Sequence, residues 1–382
     1  MRFVRGRADC ALVIPTRDRT ERLLATLARL GATPGPDVEV VVVDNGSVDS
    51  TVARVRKAHP DIQVLEMGAN RGMAARNEGA TRAESTVVLM LDDDSAPSAG
   101  TLEKLLEALQ DPSLGIAACE VTLPNGEYEE GGSRHVHIGC GAAMRRDVLL
   151  DLGGYHPEYQ CYVDEYDLAY RVLAADLQVR YVDGAHVWHE PAQRKSLDYM
   201  IESLTSNNAY LATKFLPRDE ALRFISWIVF RYGYLAAKRG AYAGFRRGLE
   251  ALPRKVMRGD AHRSPLPERV LDLVLSHRDT AACFFELMGK GIHGIRILRA
   301  GKEIPGLIRA AQHAALEVDA IYEPPEGLFA DVGQLFDIPV RPLAEFKPDA
   351  DRPLVVGGTS PGFVRNTLAL AKQHGLPAPL VP

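Results

Sequence analysis

VVLMLDDDSAP, residues 87–97, is the stretch on which the reading of the fold turns. An aliphatic, partly β-branched run ends without transition in three carboxylates, Asp92, Asp93 and Asp94. The run is too short for a comfortable helix and has no polar face, so it reads as a strand buried on both sides. Three adjacent acids at its C-terminal end repel one another unless a cation or hydrogen-bond donors meet them. In parallel α/β sheets, ligands sit outside those strand ends. Two readings follow. One is a divalent-metal site for a phosphorylated ligand. The other is an acidic loop that caps the next helix, with Ser98 as N-cap ahead of residues 101–108.

Upstream, CALVIP (residues 10–15) is a strand that Pro15 ends, because proline cannot donate to the ladder. Thr16, Arg17, Asp18 and Arg19 lead into an amphipathic helix, with Asp18 and Glu21 at capping-box spacing. A second strand, residues 38–43, runs into Asp44, Asn45, Gly46 and Ser47, and residues 50–59 form a helix. A third strand, residues 62–66, precedes a tight turn at Asn70, Arg71 and Gly72, which opens a helix over 73–82. Strands alternating with short helices make a βαβαβ half-sheet. Every strand end here carries polar groups, and such ends converge along one edge. Acceptors such as Asp44 and Asn45 suit a base or ribose, and Arg17, Arg19 and Arg71 suit phosphates. Taken singly, the Asp44 segment also reads as a plain turn and the arginines as solvated surface. Neither GxGxxG nor GxxxxGK[ST] occurs, so dinucleotide and P-loop fingerprints are absent.

Downstream, residues 116–122 are a further apolar strand, and 125–134 a Gly- and Glu-rich loop. IGCGAAM (138–144) has glycines that either admit a substrate to the backbone or mark an edge-strand bulge. YVDEYDLAYR (162–171) holds a second acidic cluster, Asp164, Glu165 and Asp167. It reads either as dipole complementarity at a helix start or as a general base beside another carboxylate. A short strand, 179–182, precedes His186 and His189 in what reads as a strand-end turn, where two histidines after two acid clusters raise a metal hypothesis.

The chain has 382 residues, enough for roughly two or three domains, and a net charge of −5 that gives no sign of a nucleic-acid binder. The five cysteines are scattered, with no CxxC and no Cys/His cluster in the sequence, so neither a disulfide framework nor a zinc site is indicated and a reducing cytoplasm fits. The basic N-terminus has no apolar core behind it and is not a signal peptide. The best membrane candidate, 224–230, falls far short of the ~20 apolar residues a span needs.

Together VIPTRDR, VVVDNGSVDST, NRGMAARNEGA, LMLDDDSAP, GCGAAMRRDVLLDLGGYHPEY, DEYDLAYR and VWHEP resemble the family 2 glycosyltransferases, over about residues 11–191. The resemblance implies a GT-A fold, a mixed α/β sheet with helices on both faces, acting on a nucleoside-diphosphate sugar with inversion. It implies that Pro15, Thr16, Arg17 and Asp44 hold the nucleobase and ribose, to which the reading of the strand ends adds Asn45 for the nucleoside and Arg19 for the phosphates. Asn70, Arg71 and Asn77 would border the nucleotide. Asp92–Asp94 would be the family's DxD, with Asp92 facing the ribose, Asp93 beside it, and Asp94 ligating Mg²⁺ or Mn²⁺ together with His189. Asp164 and Glu165 fall on the family's "ED" pair in reversed order, which makes Glu165 the base and Asp164 its rival. The acceptor is a hydroxyl on a glycan, a lipid-linked group or a small molecule.

Beyond the catalytic half (1–215) lies a helical basic segment (216–290). Its arginines and interleaved aromatics over 224–269 read either as a face for an anionic membrane or as solvated helices packed on the catalytic domain. Pro265 and Pro267 mark a break. Residues 291–382 resemble small Rossmann-like α/β domains, with a structural or oligomerising role or, as the other reading, a regulatory nucleotide site. The expected protein is thus a metal-dependent inverting glycosyltransferase, cytoplasmic or peripheral at the inner membrane face. The rival readings are a sugar nucleotidyltransferase and a non-catalytic nucleotide-sugar-binding module. The first would want a Gly-rich phosphate loop after the first strand, and Thr16–Arg19 contains no glycine.

Overall fold

The computed structural model describes residues 1–191, 196–275 and 277–382. They divide into two compact units: residues 1–127 with 135–266, and residues 128–134 with 267–382.

The first unit contains β1 (Arg2–Val4), β2 (Cys10–Thr16), α1 (Thr20–Ala32), β3 (Asp37–Asp44), α2 (Thr51–Ala58), β4 (Gln63–Glu66), α3 (Ala75–Arg82) and β5 (Val87–Met90). It continues through β6 (Ser95–Pro97), α4 (Thr101–Ala108), β7 (Leu114–Thr122), β8 (Ala142–Arg145), α5 (Arg146–Asp151), α6 (Asp164–Ala174) and β9 (Gln178–His189). Three long helices close it, α7 (Leu197–Phe215), α8 (Arg218–Arg239) and α9 (Tyr242–Ala261).

Its nine strands form one mixed sheet in the order β1-β3-β2-β5-β8-β7-β9-β6, with β4 also on β3. The first half is parallel, and β8 enters antiparallel between β5 and β7. Strand residues alternate between two covered faces, as the two-residue period requires. Leu12, Ile14, Val40, Val42 and Leu89 join Leu23, Leu27 and Leu30 of α1 and Leu102 and Leu105 of α4 in one core. Val13 and Val43 point the other way, so close to α3 that a Cβ on Gly79 would lie 2.4 and 2.9 Å from their methyls. The mixed α/β sheet with helices on both faces is therefore the architecture expected from the sequence.

Local details differ from the sequence reading. No capping box opens α1. Asp18 has φ 49° and its carboxylate accepts the Val48 amide at 2.7 Å, which ties the β2 and β3 loops together. Ser98 does not cap α4 with its side chain; Gly100, in the left-handed region, precedes that helix. The acid triplet is separated from α4 by β6, so it caps nothing there. His186–His189 lie in a strand, not a turn. β9 pairs with β7 across a register irregularity between Ala118 and Glu120 and runs on to pair with β6. The irregularity lets β9 run on through Asp183 and Gly184 as one strand.

The second unit contains α10 (Glu268–Val274), α11 (His277–Gly289), β10 (Gly294–Leu298), α12 (Ile304–His313), β11 (Glu317–Glu323), β12 (Gln334–Leu335), β13 (Ile338–Pro342), β14 (Leu354–Val356) and α13 (Pro361–Gln373). Its sheet, β12-β13-β11-β10-β14, is parallel except at β12. Residues 128–134 belong to this unit: Asn366 of α13 clamps both backbone groups of Tyr128, at 3.0 and 2.8 Å. No helix among the described residues is long and apolar enough to cross a membrane.

Candidate active site

The three acids after β5 fan apart. A turn sets their directions: the Ser95 hydroxyl accepts the Asp92 amide at 2.8 Å, and the Ser95 amide returns to the Asp92 carbonyl. Asp92 turns to Arg76, 2.5 Å away. Asp93 is buried, accepts the Thr16 hydroxyl at 2.7 Å and pairs with Arg19. Asp94 accepts from Arg19 at 2.6 Å and lies 3.2 Å from His189 Nε2. Burial pushes the Asp93 carboxyl up to about 7 in spite of Arg19. Burial opposes the charge on Asp94 too, but hydrogen bonds from His189 and Arg19 outweigh it and hold that carboxyl at about 2. His186 instead faces Glu120, at 3.8 Å.

The second acidic cluster also splits. Asp167 is fully buried and accepts from Arg171 at 2.7 Å, from Tyr159 and from Lys214 of α7, so it fastens α6 to its neighbours. Asp164 and Glu165 open α6 after two consecutive left-handed residues, Tyr162 (φ 66°) and Val163 (φ 74°). Such backbone is costly for a β-branched side chain. Asn207 of α7 holds it, donating to the carbonyls of Cys161 and Tyr162 at 3.0 and 3.1 Å. Asp164 is buried and Glu165 half-buried. Burial raises the Asp164 carboxyl, Arg76 opposes the rise, and a hydrogen bond couples Asp164 to Glu165.

Around the β2 and β3 ends, Pro15 is half-buried and Arg17 exposed, with its Nε 3.6 Å from Asp18. Asp44 is buried; one oxygen accepts the Ser47 amide at 3.1 Å and Oδ1 has no hydrogen-bond partner among the described residues. Asn45, Asn70 and Asn77 are occupied with the backbone. Asn45 bridges the Arg71 amide and the Gly72 carbonyl, and Asn70 closes an Asx turn onto the Gly72 amide. Asn77 clamps both backbone groups of Tyr155, at 2.7 and 2.9 Å. Gly72 has φ 60°, and a Cβ there would meet the Gln160 carbonyl at 2.5 Å. The turn thus packs directly on the segment that leads to Asp164. Arg71 points to solvent.

Sequence reasoning missed Arg76, His137 and Cys140. Arg76 is the largest fully buried side chain among the described residues. It joins Asp92 to Asp164 (3.9 Å), with its guanidinium 5.3 Å from the Tyr155 ring. A signal existed: Ala75, Gly79 and Ala80 put Arg76 on the small-residue face of α3, where an arginine is out of place. His137 is fully buried and neither ring nitrogen has a hydrogen-bond partner among the described residues. Burial, aided by the Arg76 charge, lowers its pKa to about 3. An unfolded histidine protonates near 6.5, so acidification favours the unfolded chain between pH 6.5 and 3 and stability falls with pH there. The loss from this residue between pH 7 and pH 4 is about 3 kcal/mol. His137→Phe is expected to flatten the acid limb of the denaturation midpoint by that amount; an unchanged limb would place the charge elsewhere.

Residues 11–138 match the family model described as Glycosyl transferase family 2. The chain is 30% identical over 210 residues to the pre-mycofactocin glycosyltransferase of Mycobacterium tuberculosis, a match covering 48% of this chain and 43% of that protein. It is 28% identical over 167 residues to glycosyltransferase AglE of Haloferax volcanii, covering 38% of this chain and 55% of that one. The chain thus spans about half the length of these curated relatives. Among solved structures it is similar to TarS of S. aureus, with 17% identity, a TM-score of 0.45, and coverage of 69% of this chain and 50% of that one.

Proposed function

We propose that this chain is an inverting glycosyltransferase that moves a sugar from a nucleoside-diphosphate sugar to an acceptor hydroxyl with the help of a divalent cation. One observation carries the reading: a single guanidinium, Arg76, ties the acid triplet after β5 to the acid pair that opens α6. The two carboxylate groups a transferase needs, one toward the diphosphate and one toward the acceptor, are thereby built as one unit. The match of residues 11–138 and the similarity to named glycosyltransferases support it.

Asp44, with its orphaned buried oxygen, receives a hydroxyl or ring N–H of the nucleoside. Arg19 is positioned to give up its carboxylates for the diphosphate. Asp94 and His189 fit a cation, since a carboxylate oxygen and an imidazole nitrogen already face each other there. Bound between them, Mg²⁺ or Mn²⁺ would supply Lewis-acid stabilisation of the departing diphosphate charge. Glu165, more open than Asp164, takes the acceptor proton. Asp164, buried beside it and hydrogen-bonded to it, orients the base.

Asp44→Asn is expected to weaken nucleoside-diphosphate binding by about 10- to 100-fold, the cost of one charge-assisted hydrogen bond. Titration of the nucleotide reads this directly, and unchanged affinity would remove Asp44 from the site. A nucleotidyltransferase is disfavoured by the β2–α1 loop, which carries Arg17 and Arg19 but no glycine.

A further inference from the structure

We propose that Cys140 joins Asp92 and His189 as a sulfur ligand of the divalent cation, and that this donor set favours borderline ions such as Zn²⁺ and Co²⁺ over Mg²⁺. The ligand set stands on its own geometry; only its part in catalysis rests on the function proposed above.

Sheet register brings the three residues together. β5 and β8 run antiparallel with Met90 opposite Ala142, and the Gly141 amide donates to the Met90 carbonyl at 2.8 Å. Two residues past Met90 is Asp92, and two before Ala142 is Cys140, so the pairing sets them side by side. β9 then delivers His189 where it pairs with Ser95 of β6. One ligand atom from each of Asp92, Cys140 and His189 lies within 4.8 Å of the others. Donors of a tetrahedral zinc-class ion stand about 3.3–3.7 Å apart, so the set closes by up to about 1.5 Å on binding. Asp94, 3.2 Å from His189, is within reach of the same ion.

The surroundings suit a metal-bound thiolate. Cys140 is 2% exposed, which keeps bulk solvent from competing for it. Arg76 interacts electrostatically with it and offsets negative charge in a site with several acids. Coordination exchanges the S–H proton, which passes to solvent, for the metal–sulfur bond. Sulfur is the ligand that separates ion classes: carboxylate and water suit Mg²⁺, whereas thiolate with imidazole selects softer ions.

Two readouts test this on the full chain without any sugar substrate. Co²⁺ titrated into the protein should give a near-ultraviolet thiolate-to-cobalt charge-transfer band that Cys140→Ser removes and Cys283→Ser keeps. X-ray absorption at the zinc edge of the Zn²⁺-loaded wild type should show one sulfur at about 2.3 Å among nitrogen and oxygen ligands. Cys140→Asp, which restores a donor, should still bind Zn²⁺ but lose the sulfur shell. A wild-type site with only nitrogen and oxygen neighbours would overturn the proposal whatever the variants do, and would leave the transferase reading standing. Failure of the wild type to bind Co²⁺, Zn²⁺ or Mn²⁺ at all would overturn both this set and the metal role. Retention of the charge-transfer band in folded Cys140→Ser would assign the sulfur to another cysteine and sink the claim.

Discussion

Glu165→Gln is expected to cut the rate of sugar transfer by about 10³-fold while nucleotide affinity stays within a few-fold of wild type. General-base catalysis is worth about 10²–10⁴-fold, and glutamine keeps the shape of glutamate without its basicity. The side chain sits at the second residue of α6. Its neighbour Asp164 is buried against Arg76, and burial favours the protonated form there. Asp164, 2% exposed, offers an acceptor hydroxyl little access. Asp164→Asn should therefore be the milder change, since asparagine keeps the shape of the buried partner while Glu165 keeps its basicity. Measuring kcat for both variants with one donor and one acceptor decides the matter. If Asp164→Asn abolishes transfer and Glu165→Gln does not, the roles are reversed.

The second large effect is expected at Arg76. Arg76→Met should lower the stability of the first unit by about 3–5 kcal/mol, because removing one partner of a buried ion pair leaves its acids uncompensated. The apparent midpoint should fall by roughly 10 °C. The guanidinium holds Asp92 at 2.5 Å and Asp164 at 3.9 Å on one rigid plane, a geometry that a lysine ammonium cannot reproduce. Arg76→Lys should thus recover only part of the loss. A double-mutant cycle of Arg76→Met with Asp164→Asn should show a coupling of about 1–3 kcal/mol, as neutralising the acid removes much of the penalty. Additive effects in that cycle would mean that Arg76 serves packing alone.

Much of the fold and part of the site are legible in the amino-acid sequence. Buried strands such as residues 10–15 and 38–43 announce themselves by unbroken β-branched runs, and their polar ends fall where a parallel sheet puts its ligands. Asp94 and His189, far apart in sequence, do meet. What escaped depends on strand register, which one chain does not reveal. Cys140 looks like one of five scattered cysteines until β5 and β8 pair. The acids after Val87–Met90 read as one cluster, yet each takes a different partner because the Ser95 turn splays them. Asp167 reads as a member of the second site but is spent on Arg171, one turn along α6, and on Lys214, a contact made only when α7 packs. Residues 128–134 look like a loop of the first unit. Their partners, Asn366 and Arg299, lie more than a hundred residues later.

Thermal-shift titration of the wild-type chain against a panel of nucleoside-diphosphate sugars, with and without Mn²⁺, tests the central claim most directly. A rise in midpoint with one donor that requires Mn²⁺ and is lost in Asp94→Asn is the expected result. Binding of no donor in the panel with Mn²⁺ present, or equal binding after exhaustive chelation, would contradict it.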